Sequence, residues 1–213
     1  PSLNLWRHAL NWYGGMGIIV LVVAILPMLG VGGMQLYKAE APGPVKDEKL
    51  TPRITQTARA LWFVYLLITI ACALSLKLAG MGWFDAVCHA FSTLALGGFS
   101  TYDASVGHFD SPAIEAVLIV FMLISAMNFA RHFIAWQQKS LRTYVTDVEA
   151  KAMLTILAIS TVGVSLYIWT HGVYPSFLTA LRHTAFNLVS IATDCGLVSQ
   201  DYAAWPMFAP MII

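Results

Sequence analysis

Long and short apolar runs alternate along this chain, and each short run leads into a glycine-bearing segment. The first long run covers about residues 6–29. Its core, 14–29, carries no charge, and Trp6, Trp12 and Tyr13 sit near one end, as aromatic residues do at a membrane interface. A polar stretch at about 30–59 holds Pro42, Pro44 and Pro52, so it is not expected to form one continuous helix. The second long run, 60–76, lies between Arg59 and Lys77. At about 17 residues it is near the lower limit for crossing a bilayer, and Lys77 has a side chain long enough to bring its ammonium to the interface. Gly80 and Gly82 end it. Residues 83–94 then read as an apolar helix of about three turns, too short to span.

The pattern then repeats. A polar loop reaches Asp110, and Ser111-Pro112 opens the third long run, to about Trp136, with Ser as the cap and Pro at the first helical position. A second polar stretch covers about 131–151. The fourth long run, about 152–169, is broken by His171-Gly172, and residues 174–189 are again too short to span. Trp205-Pro206 opens a fifth apolar helix.

Between each short run and the next long one lies a related segment. The first is Ser92-Thr93-Leu94-Ala95-Leu96-Gly97-Gly98-Phe99-Ser100-Thr101. The second is Ser190-Ile191-Ala192-Thr193-Asp194-Cys195-Gly196-Leu197-Val198-Ser199. Each has Gly six residues after its opening Ser, and Gly98 maps onto Gly196 at an offset of 98 residues. Parallel repeats of this kind are expected of a pore built from pseudo-symmetric parts. A short helix that returns as glycine-bearing extended backbone offers carbonyl oxygens in place of a cation's hydration shell. Gly permits the conformations required, and the negative end of the short helix favours a cation. The candidate ion-binding residues are Leu96, Gly97 and Gly98, with Asp194, Cys195 and Gly196 as their equivalents. Gly98 and Gly196 are expected to face each other across one axis, with the carbonyls of 96–98 and 194–196 turned inward.

Composition supports a membrane location. Hydrophobic residues make up 58% of the 213, charged residues 11%, and the mean hydropathy is +0.70; a soluble domain carries about 25% charged residues. The net charge of +1 says little, but the placement of charge sets a topology. Nine of the twelve Lys and Arg are Lys38, Lys46, Lys49, Arg53, Arg59, Arg131, Lys139, Arg142 and Lys151, in or beside the two linkers. The positive-inside rule puts those linkers in the cytoplasm and the glycine-bearing loops outside. The outer side then holds Asp85, Asp103, Asp110, Glu115, Asp194 and Asp201, opposed by Lys77 and Arg182. Such a mouth concentrates cations, although Asp103, Asp110 and Glu115 could equally cap helices and solvate loops. Arg182 lies in the second short helix and needs an interface or an acid; Asp194 and Asp201 are its expected partners.

Nothing in the chain reads as a catalytic set: there is no HExxH, GxSxG or Walker loop. No enzyme activity, cofactor or nucleic-acid partner is expected. Cys72, Cys88 and Cys195 form no CxxC pair, and Cys72 and Cys88 read as small buried residues. The scattered His8, His89, His108, His132, His171 and His183 read as packing residues rather than ligands. Gly14-Gly15-Met16-Gly17 reads as close helix packing. The chain opens at Pro1 without a signal-peptide pattern and ends inside an apolar run, so a longer protein is expected.

Several segments resemble a known family. Trp12-Tyr13-Gly14-Gly15-Met16-Gly17-Ile18-Ile19-Val20, Leu26-Pro27-Met28-Leu29-Gly30-Val31-Gly32-Gly33-Met34-Gln35-Leu36 and Ala39-Glu40-Ala41-Pro42-Gly43-Pro44 are similar to segments of the Trk-type potassium uptake subunits of the Trk/Ktr/HKT superfamily. Ala95–Thr101 resembles the family's second filter, and Ser190–Gly196 its third. Asp194, where many relatives carry Thr, and Leu197, where an aromatic is common, depart from the pattern. The resemblance implies an all-α membrane protein with repeated M1–pore helix–filter–M2 units around one central ion pore. On that reading residues 1–29 end a first repeat, 30–59 form a cytoplasmic linker, 60–136 form the second repeat, and 137–213 form most of the third. It further implies potassium as the transported ion, a multi-pass location in the bacterial inner membrane, lipid contact, a homodimer and a cytosolic nucleotide-binding gating subunit of the TrkA type. A sodium-conducting member of the same superfamily is one alternative. A secondary transporter with broken helices is another, but its repeats are usually inverted, whereas these run in the same direction. A non-transporting scaffold would have no use for a repeated glycine-bearing segment.

Overall fold

The computed structural model describes residues 2–20, 50–127, 129–138, 140, 144 and 147–212, and its regular elements are helices. Residues 21–29, the linker as far as residue 49 and the two family-like segments within 26–44 lie outside the described residues. The helices are α1 (Ser2–Val20), α2 (Leu50–Leu78), α3 (Trp83–Leu94), α4 (Pro112–Ala126), α5 (Phe129–Gln138), α6 (Val148–Thr170), α7 (Phe177–Ala192) and α8 (Phe208–Ile212). Short 3-10 turns, Ser105–His108 and Tyr202–Ala204, follow the two glycine-bearing segments.

Among the described residues, two helices are long and apolar enough to cross a bilayer. Ala58–Leu78 of α2 and Val148–Thr170 of α6 have mean hydropathies of 2.1 and 1.8 over their best windows, of which only 33% and 28% is buried. A soluble core helix this apolar would be covered. Here Ile156, Ile159, Val162 and Leu166 of α6 are exposed, which suits a lipid-facing stripe. The α2 helix starts ten residues before the expected Ala60. Pro52 does not prevent this, because it falls in the first turn, where its missing N–H has no intrahelical partner to lose.

The third long run is not one helix. Met127 is extended (φ −73°, ψ 151°) and separates α4 from α5. No Pro or Gly marks the break. Ser125 Oγ donates to the Phe121 carbonyl at 2.8 Å, a back-bond that bends helices. The Ile124 carbonyl accepts from the Met127 N–H at 3.2 Å and lies 2.9 Å from His132 Nε2. Tyr144 OH stands 2.8 Å from the other ring nitrogen, and Arg131 pairs with Asp147 at 3.3 Å. Asp147 also caps α6 by accepting from the Glu149 N–H at 3.1 Å. At the other end of the run Pro112 opens α4 as expected, but Ser111 makes no side-chain cap bond.

The packing order follows the repeat. Helix α2 packs on α3 and α6 on α7, while α1 packs on α3 and α4 on α7. Each short helix is thus held by the long helix before it and by an earlier helix of the chain, α1 for α3 and α4 for α7. Trp12 fastens the first set. It is 5% exposed, stacks on Tyr65 and Phe91 at 5.4 and 5.1 Å, and donates from its indole to Thr69 Oγ1 at 3.0 Å. Gly15 allows the close approach there: a Cβ would lie 3.0 Å from Ala95 and 3.1 Å from Tyr65 OH. Among the described residues nothing lies within 4 Å of a Cβ placed on Gly14 or Gly17, so of these three glycines Gly15 is the one in close contact.

Candidate ion filter

Both short helices end in the same hydrogen-bond pattern. In α3 the N–H groups of Ala95, Leu96 and Gly97 donate to the carbonyls of Phe91, Thr93 and Ser92 at 3.2, 3.3 and 2.9 Å. In α7 those of Thr193, Asp194 and Cys195 donate to Val189, Ile191 and Ser190 at 2.9, 2.9 and 2.8 Å. Every donor and acceptor corresponds at the 98-residue offset. This is a Schellman ending, which places a left-handed residue just past the helix. Glycine usually takes that position; here Leu96 (φ 52°) and Asp194 (φ 62°) do. A side chain in that region costs about 1–3 kcal/mol, and such strain gathers at functional sites.

Two residues further on, Gly98 and Gly196 are also left-handed, at φ 66° and 82°, whereas Gly97 and Cys195 between them are not. A strand with one hand throughout points successive peptides to opposite sides. Alternating hands turn every second peptide over, which lets neighbouring carbonyls point the same way.

The two segments meet. A Cβ on Gly98 would overlap the Cys195 carbonyl oxygen and would lie 3.1 and 3.2 Å from the Gly196 carbonyl carbon and Cα. Gly98 and Gly196 are therefore edge to edge rather than facing across an axis. Consecutive units of a ring share an edge, and these units are consecutive. Ser92 Oγ and Ser190 Oγ, also equivalent, are buried without a hydrogen-bond partner among the described residues. Asp194 is exposed and Cys195 buried.

Side chains that brace the returning backbone were not apparent from the sequence. A Cβ on Gly97 would overlap the Asn11 amide of α1. Arg7 donates to the Ser100 carbonyl at 3.2 Å and lies 4.9 Å from the centre of the Phe99 ring. His89 bridges the Asp85 carbonyl and Ser100 Oγ at 2.8 and 3.0 Å. Its equivalent, Asn187, accepts from the Ser199 N–H at 3.1 Å. Four of the six histidines, His8, His89, His132 and His183, are buried, and no group of three or more His, Cys, Asp or Glu fit for a metal occurs among the described residues. The three cysteines are buried and free.

The acids near the glycine-bearing segments divide by partner. Asp85 accepts from Thr101 Oγ1 at 2.7 Å and holds the nearby Tyr102 phenol above its ordinary pKa by charge repulsion. Asp201 accepts from the Ala203 N–H at 3.0 Å and caps a turn. Asp103 and Asp201 line a groove of about 590 Å³ between the loops that follow the two glycine-bearing segments. Arg182 pairs with neither Asp194 nor Asp201. Its guanidinium forks onto Glu115, 2.8 Å to each carboxylate oxygen, and reaches Asp110 at 2.9 Å. Helix α7 packs on α4, so acids of the preceding repeat lie closer than those of its own.

Comparison with known proteins agrees with this architecture. The family model of TrkH, described as a cation transport protein, matches residues 1–213. The Trk system potassium uptake protein TrkH of Halomonas elongata is 52% identical over 212 residues, and that of Salmonella typhimurium 51%; each alignment covers 100% of this chain and 44% of the relative. Trk system potassium uptake protein TrkG of Escherichia coli is 45% identical over 94% of the chain. The crystal structure of the potassium transporter TrkH from Vibrio parahaemolyticus superposes with a TM-score of 0.85 at 43% identity, covering 99% of this chain and 42% of that one. The chain spans less than half the length of these relatives. It is an all-α membrane chain that belongs to the TrkH family of cation transport proteins.

Proposed function

We propose that this chain forms part of a potassium uptake pathway across the bacterial inner membrane, and that Leu96, Gly97, Gly98, Asp194, Cys195 and Gly196 contribute carbonyl oxygens to its selectivity filter. One observation carries the reading: two short helices end in the same three backbone hydrogen bonds and run into backbone of alternating hand that meets at Gly98 and Gly196. A dehydrated monovalent cation needs several oxygens at once, and carbonyls lining a narrow path supply them. The protein acts by conduction, with no covalent step. The names of the relatives support potassium as the ion. Assembly as a homodimer with a cytosolic nucleotide-binding gating subunit belongs to the same reading.

The test is expression of the full reading frame in a bacterial strain lacking its own potassium uptake. Growth at limiting potassium, with rubidium uptake well above sodium uptake, is the expected result. Equal sodium uptake would instead make it a sodium-conducting member, and no cation uptake would overturn the proposal. Topology is tested separately. A cysteine at Lys46 should resist membrane-impermeant thiol reagents in intact cells and react in inverted vesicles. Labelling from outside would reverse the orientation and move both filter segments to the inner face.

A further inference from the structure

The two repeats are joined outside the filter by a set of contacts that converge on one arginine. Glu115 begins α4 of the second repeat and its side chain is 2% exposed; Arg182 lies in α7 of the third. The fork between them is bidentate, the geometry that fixes orientation as well as distance. The same guanidinium holds Asp110, and the Asp110 N–H donates to the Gly107 carbonyl at 3.3 Å. Gly107 in turn donates its N–H to the Val198 carbonyl at 3.1 Å, and the Val198 N–H donates to Ser105 Oγ at 3.1 Å. Val198 lies two residues past Gly196. The outer loop of one repeat is thus spliced to the filter-end backbone of the next. Gly107 is required for the splice, because a Cβ there would sit 2.6 Å from the Ser199 carbonyl oxygen. Among the described residues the junction of α1 with α3 shows no such fork; there Arg7 reaches the Ser100 carbonyl instead.

We propose that Arg182 is a positioning residue for ion selectivity: its fork onto Glu115 and Asp110, with the Gly107–Val198 splice, sets the spacing between the second and third filter segments. This rests on the potassium-filter reading above. Arg182 touches no ion. It holds the loop that holds the backbone beside Gly196, and ion preference follows from how far apart the carbonyls of adjacent segments are kept.

The experiment uses the full-length protein in membranes. Arg182→Gln leaves Glu115 buried without its cation and is expected to lower both membrane abundance and selectivity. Arg182→Gln with Glu115→Gln removes both charges and should restore abundance but not selectivity. Its rubidium-over-sodium uptake ratio per protein is expected to fall about tenfold, a ~1.4 kcal/mol change in ion preference. Arg182→Lys, which keeps the charge but loses the fork, should fall between. Gly107→Ala keeps every charge and should lower the ratio at normal abundance. A double variant with wild-type ratio would show that the pair serves folding alone and overturn the proposal, as would a normal ratio in Gly107→Ala. A second measurement does not depend on transport. Spin labels at Asp103→Cys and Ala203→Cys, both exposed sites, read the distance between the two outer loops. That distance should broaden or shift in the double variant and in Gly107→Ala, and an unchanged distance overturns the latch. If the unmutated protein takes up no potassium, the potassium reading falls, while the distance measurement still decides the latch.

Discussion

Gly98→Ser is expected to abolish potassium-selective uptake while the protein still reaches the membrane. Two independent costs meet at this residue. Its φ of 66° lies in the left-handed region, where a Cβ costs about 1–2 kcal/mol. The Cβ would also overlap the Cys195 carbonyl oxygen and press on the Gly196 backbone. Those neighbours are main chain of the other filter segment and cannot swing aside as a side chain would. The displaced atoms are the proposed ion ligands, so the loss should appear in ion preference, at about tenfold for each 1.4 kcal/mol. The check is rubidium and sodium uptake per protein in membranes. Gly196→Ser supplies the graded comparison: it shares the positive φ, but its nearest contact is 3.9 Å away, so it should lose less. Gly17→Ala, in a helix and with nothing near among the described residues, should behave as wild type. Equal behaviour of all three would remove the filter role.

Trp12→Ala should destabilise the folded protein by about 3–5 kcal/mol, the range for emptying a buried large aromatic site. In a bilayer the loss comes from packing and hydrogen bonding rather than from transfer out of water. Trp12 joins three helices: it stacks on Tyr65 of α2 and Phe91 of α3, and the Tyr65 hydroxyl donates to the Trp12 backbone carbonyl at 3.2 Å. Its indole N–H ends on Thr69 Oγ1, which itself donates to the Tyr65 carbonyl at 2.7 Å, so the ring is tied to α2 by a short hydrogen-bond chain. Trp12→Phe keeps most of the ring contact and loses that bond, so it should cost about 1 kcal/mol. Thermal unfolding of the detergent-solubilised full-length protein measures both. Because α1 also brings Asn11 against Gly97, Trp12→Ala should lower transport at temperatures below its melting point, whereas Trp12→Phe should not.

What the sequence determined was the periodic frame. The two short helices, the break after Leu78, Pro at the start of α4, and the 98-residue offset were legible because each depends on local preferences or on repeated composition. Apolar length separates a spanning helix from a re-entrant one, and glycine spacing marks where the chain adopts a left-handed turn. The backbone correspondence between Leu96 and Asp194, and between Gly98 and Gly196, follows from that repeat.

Tertiary structure decided the partners. Local sequence gives no sign that Arg182 would pass over Asp194 and Asp201 for Glu115 and Asp110; the choice depends on α4 lying against α7. Nor could it reveal that Asn11 fills the space opposite Gly97, since an Asn in an apolar helix shows no partner until a neighbouring unit packs on it. The break at Met127 has the same origin. No helix breaker precedes it, and His132, brought in by the following helix, satisfies the carbonyl at the break. Helix length and handedness are set by energies within a few residues. Which charge meets which is set by contacts 67 and 72 residues apart along the chain, and only the folded arrangement of repeats brings those together.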